Sequence, residues 1–545
     1  MYYKATMVKE KLKEFIDKIS GNVDFDILTP PDPKFGDYSI NLPFVLGKKE
    51  KRNPTDAGRE VLEKLSADKE LKKYFGKIEF ALPGFINFHL SDDFIKNNLK
   101  EIAEKGEDYG SGDNKNCRVN LEFVSANPTG PLMVHNMRGG PFGDTLGNIF
   151  KKAGYEVTKE YYFNDVGVQT MLLGESVAKR LQELNGIKIE FGENLYPGEY
   201  IREIAGEINS KKLIDSGQDF DTLLKFCRDY ALEKMIESIK RSMEELGVSY
   251  DVWFRESSLQ KSGEIDDAMA KISEHTYEKD GARWFRVSNF FPEQKDAVVV
   301  KSEDRGVSYL MGDIAYTRNK IEERGFNKAI NIWGTDHHGD VPRLLAGAQA
   351  LGYGGKLEIL LHQLVTIMES GEKQRMSKRA GKFFPVDELL AKVGKDAIRF
   401  FFLAKSLDTH MEFDVDLAKE ESKRNPVYYI QYAYARLNQI FEKIEKDNSE
   451  EGDAGLLKEP EEKALMRRMA KYPELIEDIS KNYQVHHLTQ YAYELASDFH
   501  NFYEKCRVIQ DDKELQSARV YLSKTVSVVL GSVLSLMGLK APKKM

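Results

Sequence analysis

The segment LEFVSANPTGPLMVHNMR, at residues 121–138, restricts the fold more than any other part of the sequence. A strand is predicted over Val119–Val124, followed by a loop rich in Pro, Gly, Ser and Asn and a helix that begins near His135. Such a turn directs backbone N–H groups and the positive end of a helix toward an anion, typically a phosphate. The segment therefore predicts the opening of a nucleotide-binding α/β domain.

A cationic segment, RMSKRAGK at residues 375–382, follows much later in the chain. Arg375, Lys378, Arg379 and Lys382 surround a Met-Ser pair, with Gly381 close behind. A phosphate-binding loop and a distant cationic loop are what nucleotidyl transfer from ATP requires, since the catalytic work is positioning and charge stabilisation. The alternative, a solvated run of surface charges, explains the cluster alone but not its pairing with the upstream loop.

Five segments resemble the arginyl-tRNA synthetase family, within the class I aminoacyl-tRNA synthetases, in their order and rough spacing. They are SANPTGPL, EYYFNDVGVQ (Glu160–Gln169), WGTDHHGDVPR (Trp333–Arg343), NPVYYIQYAYAR (Asn425–Arg436) and the terminal LMGLKAPKKM. The resemblance covers essentially the whole chain. It implies an arginine–tRNA ligase that activates L-arginine with ATP to arginyl-adenylate and transfers it to the 3′ end of arginine-specific tRNA.

Three domains are expected. The resemblance implies an α+β tRNA-contacting domain over residues 1–110, a Rossmann-like α/β catalytic domain over 115–418 and an all-α anticodon-binding bundle over 419–545. Glu and Lys at helical spacing predict a helical insertion over about 170–290. After it, DAVVVKS and NKAINIWG are expected to resume the sheet.

One departure from the family concerns catalysis. The family's first signature usually has the form His-Val-Gly-His, whereas this chain has Met133, Val134, His135 and Asn136. In the family the two histidines contact the ATP phosphates, and neither Met133 nor neutral Asn136 offers a charged donor. Losing one such donor typically costs about 3–4 kcal/mol, roughly a hundredfold to a thousandfold in rate. One alternative is that the loop binds phosphate through backbone N–H groups alone.

The resemblance assigns roles to residues of both signatures and of the loop between strand and helix. The expected catalytic residues are Lys378, Arg375, His135 and Asn136. The expected ATP-binding residues are Pro128, Thr129, Gly130, Met133, Gly334, Asp336, His337, Met376 and Ser377.

Recognition of arginine needs acceptors for five guanidinium N–H donors, and carboxylates serve best because they pair bidentately. Glu122 ends the first strand, and Ser125 and Asn127 follow at the carboxyl edge of the sheet, where ligands bind in such folds. Tyr309 and Asp313 are four residues apart, so both face one side of a helix. The resemblance implies that these five residues form the arginine pocket. The alternative for a lone buried Asp is a helix cap or a structural ion pair.

The cluster Asp336-His337-His338-Gly339 raises the question of a metal site. Such sites normally need three or four ligands, and no further Cys or His lies nearby in the sequence. Contact with ATP is therefore preferred, and no protein metal site is expected. Mg²⁺ is expected with ATP, held mainly by phosphates and water.

Candidate tRNA contacts lie in both terminal domains. The resemblance indicates Phe35 in PKFGDYS, and Tyr429, Tyr432 and Arg436 lie in a tyrosine-rich helix. Unpaired RNA bases stack on aromatic and guanidinium planes. Tyrosines at successive helical positions cannot all share one face, so some of them are expected to be core residues.

Composition narrows the cellular setting. No apolar run reaches the length of a membrane span, and no N-terminal signal peptide is recognised. Three distant cysteines suggest reduced thiols in a cytoplasmic protein, and the resemblance implies a monomer. The net charge of −8 argues only weakly against RNA, because a local basic face suffices. A non-catalytic paralogue that binds tRNA or arginine, and a class I synthetase for another amino acid, remain as alternatives.

Overall fold

The computed structural model describes residues 8–21, 23–30, 32–215, 217–301, 306–374, 384–444 and 452–545. The chain divides into two compact units. One unit contains Met1–Asp113, Pro426–Leu536 and Lys540–Met545, and the other contains Asn114–Asn425 and Met537–Leu539. The predicted N-terminal and C-terminal domains thus share one unit, while the boundaries 1–110, 115–418 and 419–545 stay predictions.

The N-terminal part of the first unit is an α+β fold. Its helices are α1 (Val8–Ser20), α2 (Leu42–Glu50), α3 (Pro54–Ala67), α4 (Leu71–Tyr74) and α5 (Asp92–Lys105). Its strands are β1 (Ile27–Leu28), β2 (Tyr38–Ile40), β3 (Phe75–Ala81) and β4 (Phe85–Leu90). They form an antiparallel sheet in the order β1-β2-β4-β3. Helix α5 begins where the Ser91 side chain accepts a hydrogen bond from the Phe94 N–H, as an N-cap does.

The second unit is built on parallel β-structure covered by helices. Its strands are β5 (Arg118–Phe123), β6 (Glu156–Phe163), β7 (Val252–Arg255), β8 (Thr276–Lys279), β9 (Ala282–Phe285), β10 (Ala297–Val300), β11 (Lys328–Gly334), β12 (Leu357–His362), β13 (Val365–Glu369), β14 (Glu372–Lys373) and β15 (Met411–Asp414). Its helices are α6 (Gly139–Lys152), α7 (Val168–Leu184), α8 (Glu199–Lys211), α9 (Phe220–Glu245), α10 (Glu256–Ser262), α11 (Glu264–Lys271), α12 (Tyr309–Arg318), α13 (Val341–Ala350), α14 (Val386–Leu403) and α15 (Val415–Lys419).

The central sheet has the order β12-β11-β5-β6-β7, and every neighbouring pair is parallel. The chain moves from β5 to β6 on one side, whereas β11 pairs with β5 on the other side. The strand order therefore reverses between β5 and β11. In open α/β sheets ligands bind in the crevice beyond the carboxyl ends of the strands at this switch point. The predicted Rossmann-like architecture is confirmed.

Two expectations about this unit are wrong in part. Helices α7, α8 and α9 share their own apolar core, but the predicted helical insertion over 170–290 also contains β7, which lies in the central sheet, and the strands β8 and β9. The Trp253 ring in β7 stacks 5.6 Å from the Phe163 ring, so the aromatic run VWFR fits a sheet better than a helix. The predicted sheet strand in DAVVVKS becomes β10, which joins the antiparallel sheet β10-β9-β8 and not the central one.

The C-terminal part of the first unit is helical throughout its described residues. Its helices are α16 (Pro426–Lys443), α17 (Pro460–Ala470), α18 (Tyr472–Asn482), α19 (His486–Lys505) and α20 (Lys513–Leu536). By length and composition α20 could cross a membrane, contrary to the expectation that no apolar run reaches that length. However, 67% of its apolar stretch is buried inside the protein, as in the core helix of a bundle.

Candidate active site

A cavity of about 2130 Å³ opens at the carboxyl ends of the central strands. Its volume exceeds the roughly 300–1,000 Å³ of a typical single-ligand pocket, so it can hold more than one substrate. Most of the predicted site residues line it: Glu122, Ser125, Asn127, Thr129, Gly130, Met133, His135, Asn136, Tyr309, Asp313, Gly334, Asp336 and His337. Among the described residues predicted to bind arginine or ATP, Pro128 alone does not line the cavity; it is buried and shapes the turn instead of contacting a ligand.

The loop after β5 has a strained start. Val124 and Ser125 have positive φ angles of 71° and 43°, in the left-handed region that a β-branched residue rarely adopts. The Ser125 hydroxyl stabilises this turn, since it donates to the Glu122 carboxylate at 2.9 Å and accepts from the Tyr162 N–H at 3.1 Å. Such strain concentrates at ligand sites, and here it turns the loop across the edge of the sheet.

The end of the loop is held by backbone pairing. Val134–Asn136 form one turn of 3-10 helix, and α6 begins at Gly139, four residues later than the predicted start at His135. Met133 pairs with Pro385 as an isolated antiparallel bridge, and the Val134 N–H donates to the Phe384 carbonyl at 3.1 Å. This pairing fixes the backbone of the atypical signature at the wall of the cavity.

Glu122 has a partner that the sequence analysis missed. The Lys320 ammonium, almost fully buried, donates to Glu122 at 2.6 Å and to the Asn331 side chain at 2.9 Å. Lys320 lies in a π-helical turn, Asn319–Glu323, of the kind often found at functional sites. The charge of Glu122 is therefore compensated within the protein, and it acts as a fixed acceptor.

Asp313 and Glu256 are two carboxyl groups of the cavity that form no ion pair with another described residue. Desolvation, followed by the nearby charges of Glu122 and Glu256, raises the pKa of Asp313 well above its usual range. Glu256 was missed from the sequence; it is 5% exposed, and its Oε2 atom has no hydrogen-bond partner among the described residues. Burial also raises the pKa of Glu256, although a hydrogen bond from Tyr162 partly opposes this. Two carboxylates in one cavity, Glu256 buried and Asp313 half-buried, indicate a site for a cationic group.

The other end of the cavity is lined by polar and aromatic groups beyond β11. The His337 ring lies 3.8 Å from Asp336 and 3.9 Å from Asp340, which is too long for strong ion pairs. Burial lowers the pKa of His362, at the end of β12, to about 4, so its ring is neutral at physiological pH. Within the described ranges, no group of three or more His, Cys, Asp or Glu side chains could hold a metal ion.

The predicted tRNA contacts belong to the first unit and do not line this cavity. Phe35 is 43% exposed, with the Lys34 ammonium 4.9 Å above its ring. Tyr429, Tyr432 and Arg436 are half-buried on α16. The Arg436 guanidinium donates to the Tyr432 hydroxyl at 2.7 Å and covers its ring at 4.6 Å. These three residues are packed against neighbours and partly exposed. They therefore fit both interpretations of the tyrosines, core packing and contact with RNA bases.

The second signature, which contains Arg375, Met376, Ser377 and Lys378, lies outside the described residues. Its flanking residues are described. Lys373 and Gln374 before it, and Phe384 and Pro385 after it, line the cavity.

Three family models match successive parts of the chain. They are the arginyl tRNA synthetase N-terminal domain over residues 5–90, the class I (R) tRNA synthetase catalytic domain over 98–414 and the DALR anticodon binding domain over 430–545.

Similar proteins span nearly the full length of the chain. The arginine–tRNA ligase of Carboxydothermus hydrogenoformans is 42% identical over 96% of this chain and 94% of its own. That of Thermotoga maritima is 39% identical over 99% of both. The arginyl-tRNA synthetase structure from Thermus thermophilus aligns with a TM-score of 0.79 over 99% of both chains, at 20% identity.

Proposed function

The chain belongs to the arginyl-tRNA synthetase family, and from that premise we propose that its cavity joins arginine to ATP before transfer to tRNA. It is an arginine–tRNA ligase. The alternative of an impaired paralogue is not favoured by relatives that match along its whole length. A synthetase for another amino acid is disfavoured for the same reason.

The observation that carries the proposal is a pair of carboxylates that line one cavity, the half-buried Asp313 and the buried Glu256. Arginine brings a guanidinium that offers five N–H donors to such acceptors. Its binding would supply the positive charge that these carboxylates lack. Ser125 and Asn127 are suited to the opposite end of the amino acid, next to the nucleotide.

The reaction follows in two steps without a covalent enzyme intermediate. The arginine carboxylate attacks the α-phosphorus of ATP, which forms arginyl-adenylate and releases pyrophosphate. A ribose hydroxyl at the 3′ end of tRNA then attacks the adenylate carbonyl, which forms arginyl-tRNA and releases AMP. The loop from Thr129 to Asn136 supplies backbone and side-chain donors for the phosphates, and Lys378 with Arg375 supplies positive charge.

Class I activity implies the use of ATP. We place the nucleotide along Gly130, Met133, Gly334, Asp336 and His337, all of which line the cavity. Mg²⁺ would enter with ATP and be held mainly by phosphate oxygens and water, because such ions keep much of their hydration.

Partners and setting complete the proposal. Arginine-specific tRNA would contact Phe35 in the N-terminal domain and Tyr429, Tyr432 and Arg436 in the helical domain. The chain would act as a cytoplasmic monomer without a membrane partner, and its free cysteines agree with a reducing compartment.

A charging assay tests the function directly. Purified protein, ATP, Mg²⁺ and tRNA are incubated with each labelled amino acid in turn, and label on tRNA is counted. Arginine alone should be charged. Tight tRNA binding without charging would refute the ligase and leave the non-catalytic paralogue; charging with a different amino acid would refute the arginine assignment.

Arginine affinity should depend on pH in a defined direction. The raised pKa values of Asp313 and Glu256 mean that both carboxyls take up protons early as pH falls. The guanidinium needs the charged form, so the Kd for arginine should rise as the pH falls and these carboxyls take up protons. Glu256→Gln should raise the Kd about tenfold at a pH where the wild-type carboxyl is charged, and should flatten this dependence. Isothermal titration calorimetry measures both effects.

The matched control for this variant is Glu274→Gln, which changes an exposed carboxylate outside the cavity. It should leave both the Kd and its pH dependence unchanged. A pH dependence that is identical in the wild type and Glu256→Gln would contradict a role for Glu256 in arginine binding.

Restoring the family's signature should increase the rate. In Met133→His/Asn136→His both side chains would lie at the cavity wall, because the backbone there is fixed by the bridge to Pro385. We expect kcat for aminoacylation to rise about tenfold, less than the full effect of a phosphate donor, since backbone donors remain. Steady-state kinetics check this, with each single variant as a control. An unchanged or lower kcat in all three variants would show that the Met-Val-His-Asn signature is already fully competent.

A further inference from the structure

Three tyrosine hydroxyls hold the backbone of the loop after β5. Each donates to a carbonyl, and the three carbonyls are spaced every third residue. The pairs are Tyr250 with Phe123 at 3.2 Å, Tyr161 with Ala126 at 3.0 Å and Tyr200 with Thr129 at 2.8 Å. A loop that starts from strained backbone is thereby fixed along its length by side chains from elsewhere in the unit.

The third pair fixes an amide direction. In a trans peptide the C=O of one residue and the N–H of the next point in opposite directions. Because Tyr200 holds the Thr129 carbonyl, the Gly130 N–H must point away from the Tyr200 hydroxyl. Gly130 fits this close contact, since a Cβ atom there would lie 3.2 Å from that hydroxyl oxygen. The hydrogen bond therefore sets which way one backbone donor of the loop faces.

Tyr200 belongs to the helical insertion and not to the sheet domain's own elements. It lies at the start of α8, whose buried residues share an apolar core with α7 and α9, and its ring packs against that core. A second hydrogen bond joins the loop to α7, because the Asn127 side chain donates to Gln169 at 2.8 Å. Burial raises the pKa of Tyr200, so its hydroxyl keeps the donor proton at physiological pH. Tyr200 of the insertion and Gln169 just before it thus hold the loop at two points.

We propose that the helical insertion positions the ATP-binding loop, with Tyr200 as its main positioning residue. By holding the Thr129 carbonyl, Tyr200 orients the Gly130 N–H toward the phosphates of ATP. Gln169 holds the neighbouring turn through Asn127. This inference rests on the proposed use of ATP by the cavity, and it assigns a role to Tyr200, which lies in the insertion and outside the segments that resemble the family.

The variant Tyr200→Phe keeps the ring and removes only the hydroxyl. We expect the Kd for ATP with Mg²⁺, measured by isothermal titration calorimetry, to rise about threefold to tenfold, as for one lost hydrogen bond. The Kd for arginine should stay within a factor of about two. Gln169→Leu, at an exposed position, should change the Kd for ATP in the same direction by a smaller factor.

The matched control is Tyr230→Phe, which removes a hydroxyl from α9 of the same insertion, outside the cavity lining. It should leave both Kd values unchanged. A Kd for ATP that is unchanged in Tyr200→Phe would overturn the proposal. An equal loss of ATP and arginine affinity, or a lowered Tm without a change in either Kd, would also overturn it, since each indicates a merely structural role.

The titration also separates this proposal from the function. ATP binding is measured without turnover, so a wild-type protein that binds ATP but charges no tRNA would refute the ligase and leave the role of Tyr200 to be decided by its own variant. A wild-type protein that does not bind ATP would overturn both.

Discussion

The substitution Asp313→Asn is expected to lower kcat/KM for arginine about a hundredfold to a thousandfold, mainly by raising KM. The Asp313 carboxylate lies in the same cavity as that of Glu256, and neither forms an ion pair with another described residue. Asparagine keeps the shape and one acceptor oxygen but removes the charge. A guanidinium that is withdrawn from water would then lose a charge-assisted partner while remaining charged itself.

The measurement is steady-state aminoacylation with arginine and ATP varied separately. KM for ATP should change little, because Asp313 lies on α12 and is not among the residues assigned to the nucleotide. Asp267→Asn, at an exposed position on the neighbouring α11, serves as the control and should leave both constants unchanged. A change below about threefold in kcat/KM, or an equal increase in KM for ATP, would contradict the assignment.

Competition by citrulline sharpens the same test. Citrulline has nearly the shape of arginine but carries a neutral urea group. The wild type should reject it, because a neutral group leaves the carboxylates of Asp313 and Glu256 without a counter-charge. In Asp313→Asn the ratio of the inhibition constants for citrulline and arginine should fall. An unchanged ratio would show that charge at position 313 is not what selects arginine.

Local patterns predicted the elements that build the site. The strand ending at Phe123, the loop after it and the helix up to Lys152 could be read from hydrophobic periodicity and turn residues, because these depend on neighbours in sequence. Asp313 could be located because helical spacing places it on the face of Tyr309. The start of the helix was misplaced, since Val134–Asn136 first form a tighter turn.

Long-range partners could not be read in this way. Lys320 reaches Glu122 across 198 positions, and nothing in its own neighbourhood marks it as a buried cation. Glu256 follows a short strand within a stretch whose charge spacing predicts helix, so nothing local marks its side chain as part of a site. The same holds for Tyr200, whose hydroxyl meets the loop only after the insertion has folded. Contacts of this kind are fixed by topology, and the order of the strands must be known first.

The substitution Lys378→Ala is expected to lower kcat for aminoacylation about a hundredfold to a thousandfold, with little change in the KM for arginine. Lys378 lies outside the described residues, but the segment that carries it begins after Gln374 and ends before Phe384, and both of these line the cavity. Phe384 and Pro385 pair with the backbone of Val134 and Met133. The first signature is therefore paired with the residues that follow the second signature in the sequence.

This pairing explains why the loss of kcat in Lys378→Ala should exceed the loss caused by the altered histidine positions, Met133 and Asn136. Charge builds up on the phosphates as pyrophosphate leaves, and neither Met133 nor Asn136 carries a charge to meet it. The two lysines and two arginines of residues 375–382 are then expected to supply most of the positive charge. Lys378→Arg should retain more activity than Lys378→Ala, and Lys373→Ala, beside the cavity, should lose less than tenfold. Equal activity of Lys378→Ala and the wild type in single-turnover charging would contradict this role and point to backbone donors of the loop as the main source of stabilisation.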